Sequence, residues 1–148
     1  MILSKKSRYG LRALVDLSVS SKTEHMALNV IAERNGISPQ YLEQVFAALR
    51  RADIVKSIKG PQGGYLLKRP ASQITVADIV LALDGSYHVE DEQAGNNCEL
   101  PGITGTIQTC VIDRINSRLD QALQEITLQD LEDDYVKNTL YEEGMYYI

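Results

Sequence analysis

Apolar positions recur at helical spacing three times within the first half of the chain. Leu11, Leu14, Val15 and Leu17 form one face of a helix that starts at Lys5, with Ser4 as its N-cap, and ends near Ser20. The polar run SSKTEH follows. Leu28, Ile31 and Ala32 then mark a short helix, closed by Asn35-Gly36, where glycine tolerates positive φ. Ser38-Pro39 is an N-cap followed by proline at the first helical position, where a missing N–H costs nothing. Leu42, Val45, Phe46 and Leu49 follow at i, i+3, i+4 and i+7, the buried stripe of a third helix ending near Arg51.

The period then changes. Ile54 to Ile58 is β-branched and alternating, Lys59-Gly60-Pro61-Gln62-Gly63-Gly64 is turn chemistry, and Tyr65-Leu66-Leu67 is apolar again, which predicts a β-hairpin. Thr75 and Asp78 form a capping box ahead of Val76, Ile79, Val80 and Leu83, and Gly85 stops that helix. Residues 86–102 are acidic, without period, and read as a mobile loop. From Ile103 the stripe Ile107, Val111, Ile115, Leu119, Ala122, Ile126, with Cys110 and Leu123 beside it, predicts a helix roughly 36 Å long. A domain of this size cannot cover such a helix, so its stripe calls for the same helix of a second chain. The tail after it has a short helical start and then an acidic, tyrosine-rich end.

Two helices joined by a short glycine-containing turn are the helix-turn-helix pattern, and a plain αα-hairpin shares it. The stripe of the helix after Ser38 leaves Gln40, Tyr41, Glu43, Gln44 and Ala47 facing outward: amide, phenol and carboxylate groups suited to base edges and phosphates. A basic hairpin directly after it, with Lys56, Lys59, Lys68 and Arg69 in or beside it, reads as a wing. Its glycines Gly60, Gly63 and Gly64 would let the backbone approach a sugar-phosphate chain. The expected fold is mainly α with a small β-hairpin: a winged helix-turn-helix domain plus a long dimerisation helix.

Charge supports this division. Among the 148 residues the net charge is −5, yet residues 1–70 carry 12 Lys+Arg against 5 Asp+Glu, a balance of +7. Residues 71–148 carry 3 against 15, a balance of −12. A basic half joined to an acidic one suits a polyanion partner for the first. Lys5 and Arg8 lie at a helix N-terminus, where the dipole disfavours cations, which suggests a phosphate partner. There is no zinc-spaced His/Cys cluster, phosphate loop or Ser/His/Asp motif, so an enzyme is not expected and no catalytic or metal-binding residue is assigned. His25 and His88 read as ordinary surface histidines. Two cysteines and no export signal point to a reduced, cytoplasmic chain without membrane contact.

The segments KKSRYGLRAL, SPQYLEQVFAALR, IVKSIKGPQGGYLL and TVADIVLALDG, in this order, resemble the Rrf-two family of bacterial winged helix-turn-helix regulators. Its members include the iron–sulfur biogenesis regulator IscR, the nitric oxide sensor NsrR and the cysteine-metabolism repressor CymR. The similarity is dense over 1–85 and extends through ITLQDL to about 131. It implies a homodimer on a roughly palindromic operator, the helix after Ser38 in the major groove and the wing in the minor groove. Cluster-binding members carry three cysteines spaced five residues apart in the loop before the dimer helix. Here Cys98 and Cys110 match the first and third, Thr104 takes the middle place, and Asp113 stands where IscR has a ligating histidine. A hydroxyl is a poor iron ligand beside thiolate. An iron–sulfur cluster, a thiol switch and two cysteines without a role all stay open, and no cofactor is the leading expectation. The ending MYYI resembles the CymR tail, which implies cysteine synthase as a partner that would capture Tyr146, Tyr147 and the terminal Ile148.

The expected organisation is therefore a DNA-binding domain over 1–85, an acidic loop over 86–102, a dimerisation helix over 103–126 and an acidic tail over 127–148. The function expected is a homodimeric transcriptional regulator, a repressor of cysteine, sulfur or iron–sulfur genes. Its DNA contacts are Lys5, Arg8, Ser38, Gln40, Tyr41, Glu43, Gln44, Lys59, Gly60, Gly63 and Gly64, and its sensor candidates Cys98 and Cys110. The rival is a protein-interaction adaptor acting through its acidic tail without specific DNA binding.

Overall fold

The computed structural model describes residues 3–146. The first helix, α1 (Lys5–Ser20), begins where Ser4 Oγ accepts from the Ser7 amide, and the same hydroxyl donates to Asp84. A short α2 (Leu28–Asn35) ends on Gly36 in the left-handed region, and α3 (Pro39–Arg51) starts under Ser38. Of the stripes expected, Leu14, Leu17, Ile31, Leu42, Val45, Phe46 and Leu49 are fully buried in one core, while Leu11, Val15 and Leu28 are only partly buried against it.

The strands β1 (Val55–Ile58) and β2 (Gly64–Leu67) pair antiparallel, with Val55 opposite Leu67 and Ile58 opposite Gly64. Met26, just past the polar run, adds a one-residue third strand: its amide and carbonyl bond both backbone groups of Tyr65. The hairpin is thereby fixed to the chain entering α2. The Tyr65 ring, edge-on to Phe46 at 4.9 Å between centroids, ties it to the core.

After a single 3₁₀ turn at Ala71–Gln73, α4 (Val76–Asp84) forms under the Thr75–Asp78 capping box that the sequence predicts. The long helix departs from expectation in two ways. It starts at Pro101 rather than Ile103, because proline suits a first helical position. It is also not uniform: α5 (Pro101–Ile107) and α6 (Asp113–Glu125) are joined by a π-turn over Gln108–Ile112, in which the Asp113 amide donates to the carbonyl of Gln108. Leu119 and Leu123 pack against Val76, Ala77, Val80 and Tyr87 in a second, smaller core. Farther out, Ile103, Ile107, Val111 and Ile115 are exposed.

The last element differs most from its expectation. The helical start expected there runs on through the acidic, tyrosine-rich end, and α7 spans Leu128–Tyr146. Leu128 is fully buried and Glu132, at 5% exposure, accepts from Ser18 of α1 and pairs with Lys22. The cause is a second capping box. The Thr127 amide donates to Asp130, and the Asp130 amide donates to the Thr127 hydroxyl.

Candidate nucleic-acid interface

Ser38 Oγ accepts from the Tyr41 amide at 3.1 Å, which fixes the first turn of α3. With Leu42, Val45, Phe46 and Leu49 buried, the helix turns Gln40, Glu43 and Gln44 to solvent, while Tyr41 is half-buried. The expected reading face is thus present as a surface. Lys59 and Gly60 lie exposed at the hairpin tip, Gly60 with φ +117°, a value that favours glycine.

Gly63 and Gly64 have a different reason from the one expected. A Cβ on Gly63 would stand 2.1 Å from the carbonyl oxygen of Ile58, and one on Gly64 2.3 Å from that of Met26. Close approach at these positions is to the protein's own backbone, where it closes the hairpin and admits the Met26 strand. His25 is likewise structural, its Nε2 donating to the Gln62 carbonyl in the hairpin loop.

On α1, Lys5 and Arg8 are exposed as expected, though Arg8 Nε donates to the Leu3 carbonyl at 2.8 Å. Two residues that the sequence reading passed over belong to this face. Tyr9 stands edge-on to Tyr41 of α3 at 5.6 Å between centroids. Arg12, exposed, lies with its guanidinium 5.2 Å from the Tyr9 ring centre, and Lys5 Nζ lies 5.4 Å from it. The 5, 9, 12 spacing on a predicted helix places the three on one face and is the signal that was available.

The acidic loop is not free along its whole length. Tyr87 Oη and His88 Nε2 both donate to Asp120 Oδ1, at 2.6 and 2.7 Å, so His88 is an anchor rather than a plain surface group. Val89 exchanges two hydrogen bonds with Asn116, and the Glu92 amide donates to Gln108 of the π-turn. Residues 87–92 are therefore laid along α6 and the π-turn. The Tyr87 phenol is pushed up by burial and by the adjacent Asp120, and Asp120 is held below the usual carboxylate range by the Tyr87 and His88 hydrogen bonds.

Cys98 and Cys110 are free and exposed, the first in the loop and the second in the π-turn, with Thr104 on α5 between them in sequence. Among the described residues no three His, Cys, Asp or Glu side chains gather as a metal would need. The donor set of two thiols, a hydroxyl and the Asp113 carboxylate does not fit a cluster that wants thiolates. Tyr147 and Ile148 lie outside the described residues, and of Tyr146 only its place in α7 is described.

A family model described as iron-dependent transcriptional regulator, Rrf2, matches residues 3–134. The chain belongs to the Rrf2 family. IscR of Klebsiella pneumoniae is 37% identical over 131 residues, which is 88% of this chain and 79% of that regulator. The structure of CymR, the global cysteine regulator of B. subtilis, superposes with a TM-score of 0.73 at 32% identity, covering 90% of this chain and 97% of that one. IscR of T. potens gives a TM-score of 0.71 at 34% identity, covering 91% and 88%. This Rrf2 chain is accordingly a transcriptional regulator with the DNA-binding winged-helix fold, not an enzyme. Among the described residues no helix is long and apolar enough to cross a membrane.

Proposed function

We propose that this Rrf2 regulator is a homodimeric repressor of genes of cysteine, sulfur or iron–sulfur metabolism, reading a palindromic operator with α3 in the major groove and the hairpin in the minor groove. The observation that carries this reading is the exposed polar face of α3, Gln40, Glu43 and Gln44, followed in the chain by a hairpin whose exposed tip bears Lys59, within the cationic half of the chain. Dimerisation is supported by the exposed row Ile103, Ile107, Val111 and Ile115. The test is fluorescence anisotropy with duplexes selected by the protein from a randomised pool. Binding should be sequence-selective and should weaken steeply with salt, as release of counterions from several phosphates requires. Salt-insensitive or unselective binding would sink the proposal and favour the adaptor reading, which rests on acidic α7 with its exposed Leu140 and Tyr141.

Cys98 and Cys110 enter as candidate sensors through thiol chemistry, since their exposure makes both open to oxidants. Oxidant should change operator affinity in the wild type and not in Cys98→Ser. Regulation through a bound cluster is not part of the proposal, given the donor set. Neither the described residues nor the names of the relatives support the cysteine synthase partnership implied by the tail.

A further inference from the structure

Tyr41 sits in the first turn of α3, and its two ends are held by different elements. Its backbone amide is held by the Ser38 hydroxyl, and its ring packs in a T with that of Tyr9, at 5.6 Å between centroids and 84° between planes. Tyr9 is itself held between two cations of its own helix, Lys5 one turn before it and Arg12 one turn after. An aromatic pair in this T-shaped arrangement favours one relative orientation over the others, and a cation over a ring face adds to it. A phenol on a reading helix discriminates only when it keeps one direction, because a freely rotating ring meets several base edges equally.

We infer that Tyr9, a residue of α1 outside the reading helix, is a positioning residue for sequence recognition: it fixes the ring of Tyr41 so that the first turn of α3 presents a single phenol orientation to DNA. The inference rests on the proposed operator-reading role of α3. Lys5 and Arg12 serve it twice, holding the Tyr9 ring and adding positive charge beside the reading helix. Tyr9 acts through Tyr41, and its hydroxyl is not required.

The experiment measures affinity for a duplex selected by the wild-type chain and for a scrambled duplex, by anisotropy at fixed salt. Tyr9→Met keeps an unbranched apolar side chain in the helix and removes the ring. It should lower the ratio of selected to scrambled affinity by about three- to tenfold, and Tyr9→Phe should restore the wild-type ratio. In a Tyr41→Ala background Tyr9→Met should change nothing further, an outcome that a merely structural role of Tyr9 would not produce. Arg12→Gln, which leaves the Tyr9 ring in place, should shift the ratio in the same direction by less, and provides the reading should Tyr9→Met fail to fold. Equal ratios in wild type and Tyr9→Met, or additive losses with Tyr41→Ala, overturn the inference while leaving operator reading intact. A wild-type chain that does not distinguish the two duplexes overturns both.

Discussion

Thr75 and Thr127 lie opposite each other in an isolated antiparallel bridge, and each is also the first half of a capping box for the helix that follows it. The Val76 amide donates to the Ile126 carbonyl at 2.9 Å, and the Leu128 amide to the Ile74 carbonyl at 2.8 Å. One short contact thus starts α4 and α7 together and returns the chain, after the long helix, to the point where α4 began. Helix α7 is then delivered to α1, where Glu132 accepts from Ser18 at 2.6 Å.

That buried bond gives the first prediction. Glu132→Ala strands the Ser18 hydroxyl, 2% exposed, without its partner. The loss should be about 1–3 kcal/mol, the usual cost of an unsatisfied buried polar group, read from urea unfolding. The Lys22 end of the ion pair is more than half exposed and should add little. Stability unchanged in Glu132→Ala would mean that α7 does not hold to α1 in solution.

Gly64→Ala should be costly although it adds one methyl group. Its Cβ would meet the Met26 carbonyl carbon at 2.5 Å as well as the oxygen, both backbone atoms that cannot step aside. A loss of about 1–3 kcal/mol is expected from overpacking of this kind, with faster amide exchange at Met26 and Tyr65. Retained protection at those two amides would contradict the contact.

Base reading and phosphate binding should separate by mutation. Gln44→Ala should cost on the order of 1–3 kcal/mol at one operator position and relax selectivity there. Lys59→Ala should weaken all duplexes alike and lower the salt slope by about one. If both variants lost affinity uniformly, α3 would not be reading bases.

Val111→Glu tests the exposed row on the long helix. Val111 is 42% exposed in the single chain, so a carboxylate there should leave the fold intact. In a dimer buried on that row it should bury a charge and shift the chain to monomer, seen by light scattering. A variant that stays dimeric would move the interface elsewhere.

The loop anchor has a defined pH window. Asp120 is held below its ordinary 3.8, so the stability it contributes is complete above that value and is lost as pH falls through the lowered one. The Tyr87 phenol is pushed above 10.0, so its contribution holds below that value and fades as pH rises through the raised one. The anchor should therefore persist across the physiological range, and acid or strong base should release it. Tyrosinate absorbance should show the Tyr87 phenol titrating late, and Asp120→Asn should bring it earlier. An unshifted titration in that variant would remove Asp120 as a cause.

What could be read in the chain alone was whatever local rules decide. Ser38-Pro39 and the 42, 45, 46, 49 stripe set α3 because cap, proline and burial agree, and Asn35-Gly36 closes α2 for a similar reason. The length of α7 escaped, because only its start carries a fully buried apolar residue, Leu128, and its carboxylate Glu132 meets a partner 114 residues away in sequence. The Thr127–Asp130 box was the available clue, hidden among acidic residues that read as tail. Met26 escaped because a one-residue strand has no period. At the interface the exposed faces of α3 were legible, whereas the Tyr9–Tyr41 contact depends on how α1 crosses α3, which no local pattern states.

The π-turn has a consequence for the apolar row. Ile103, Ile107, Val111, Ile115 and Leu119 fall every four residues, and at about 100° per residue each step overshoots a full circle by roughly 40°. Kept up over four steps in a regular helix, that overshoot would wind the row most of the way to the opposite side. The wider turn at Gln108–Ile112 takes up an additional residue midway, as the Asp113-to-Gln108 hydrogen bond records, and so sets back the phase between the outer isoleucines and the inner ones. That takes back roughly 100° of a drift of roughly 160° and keeps the apolar row on one side of the helix.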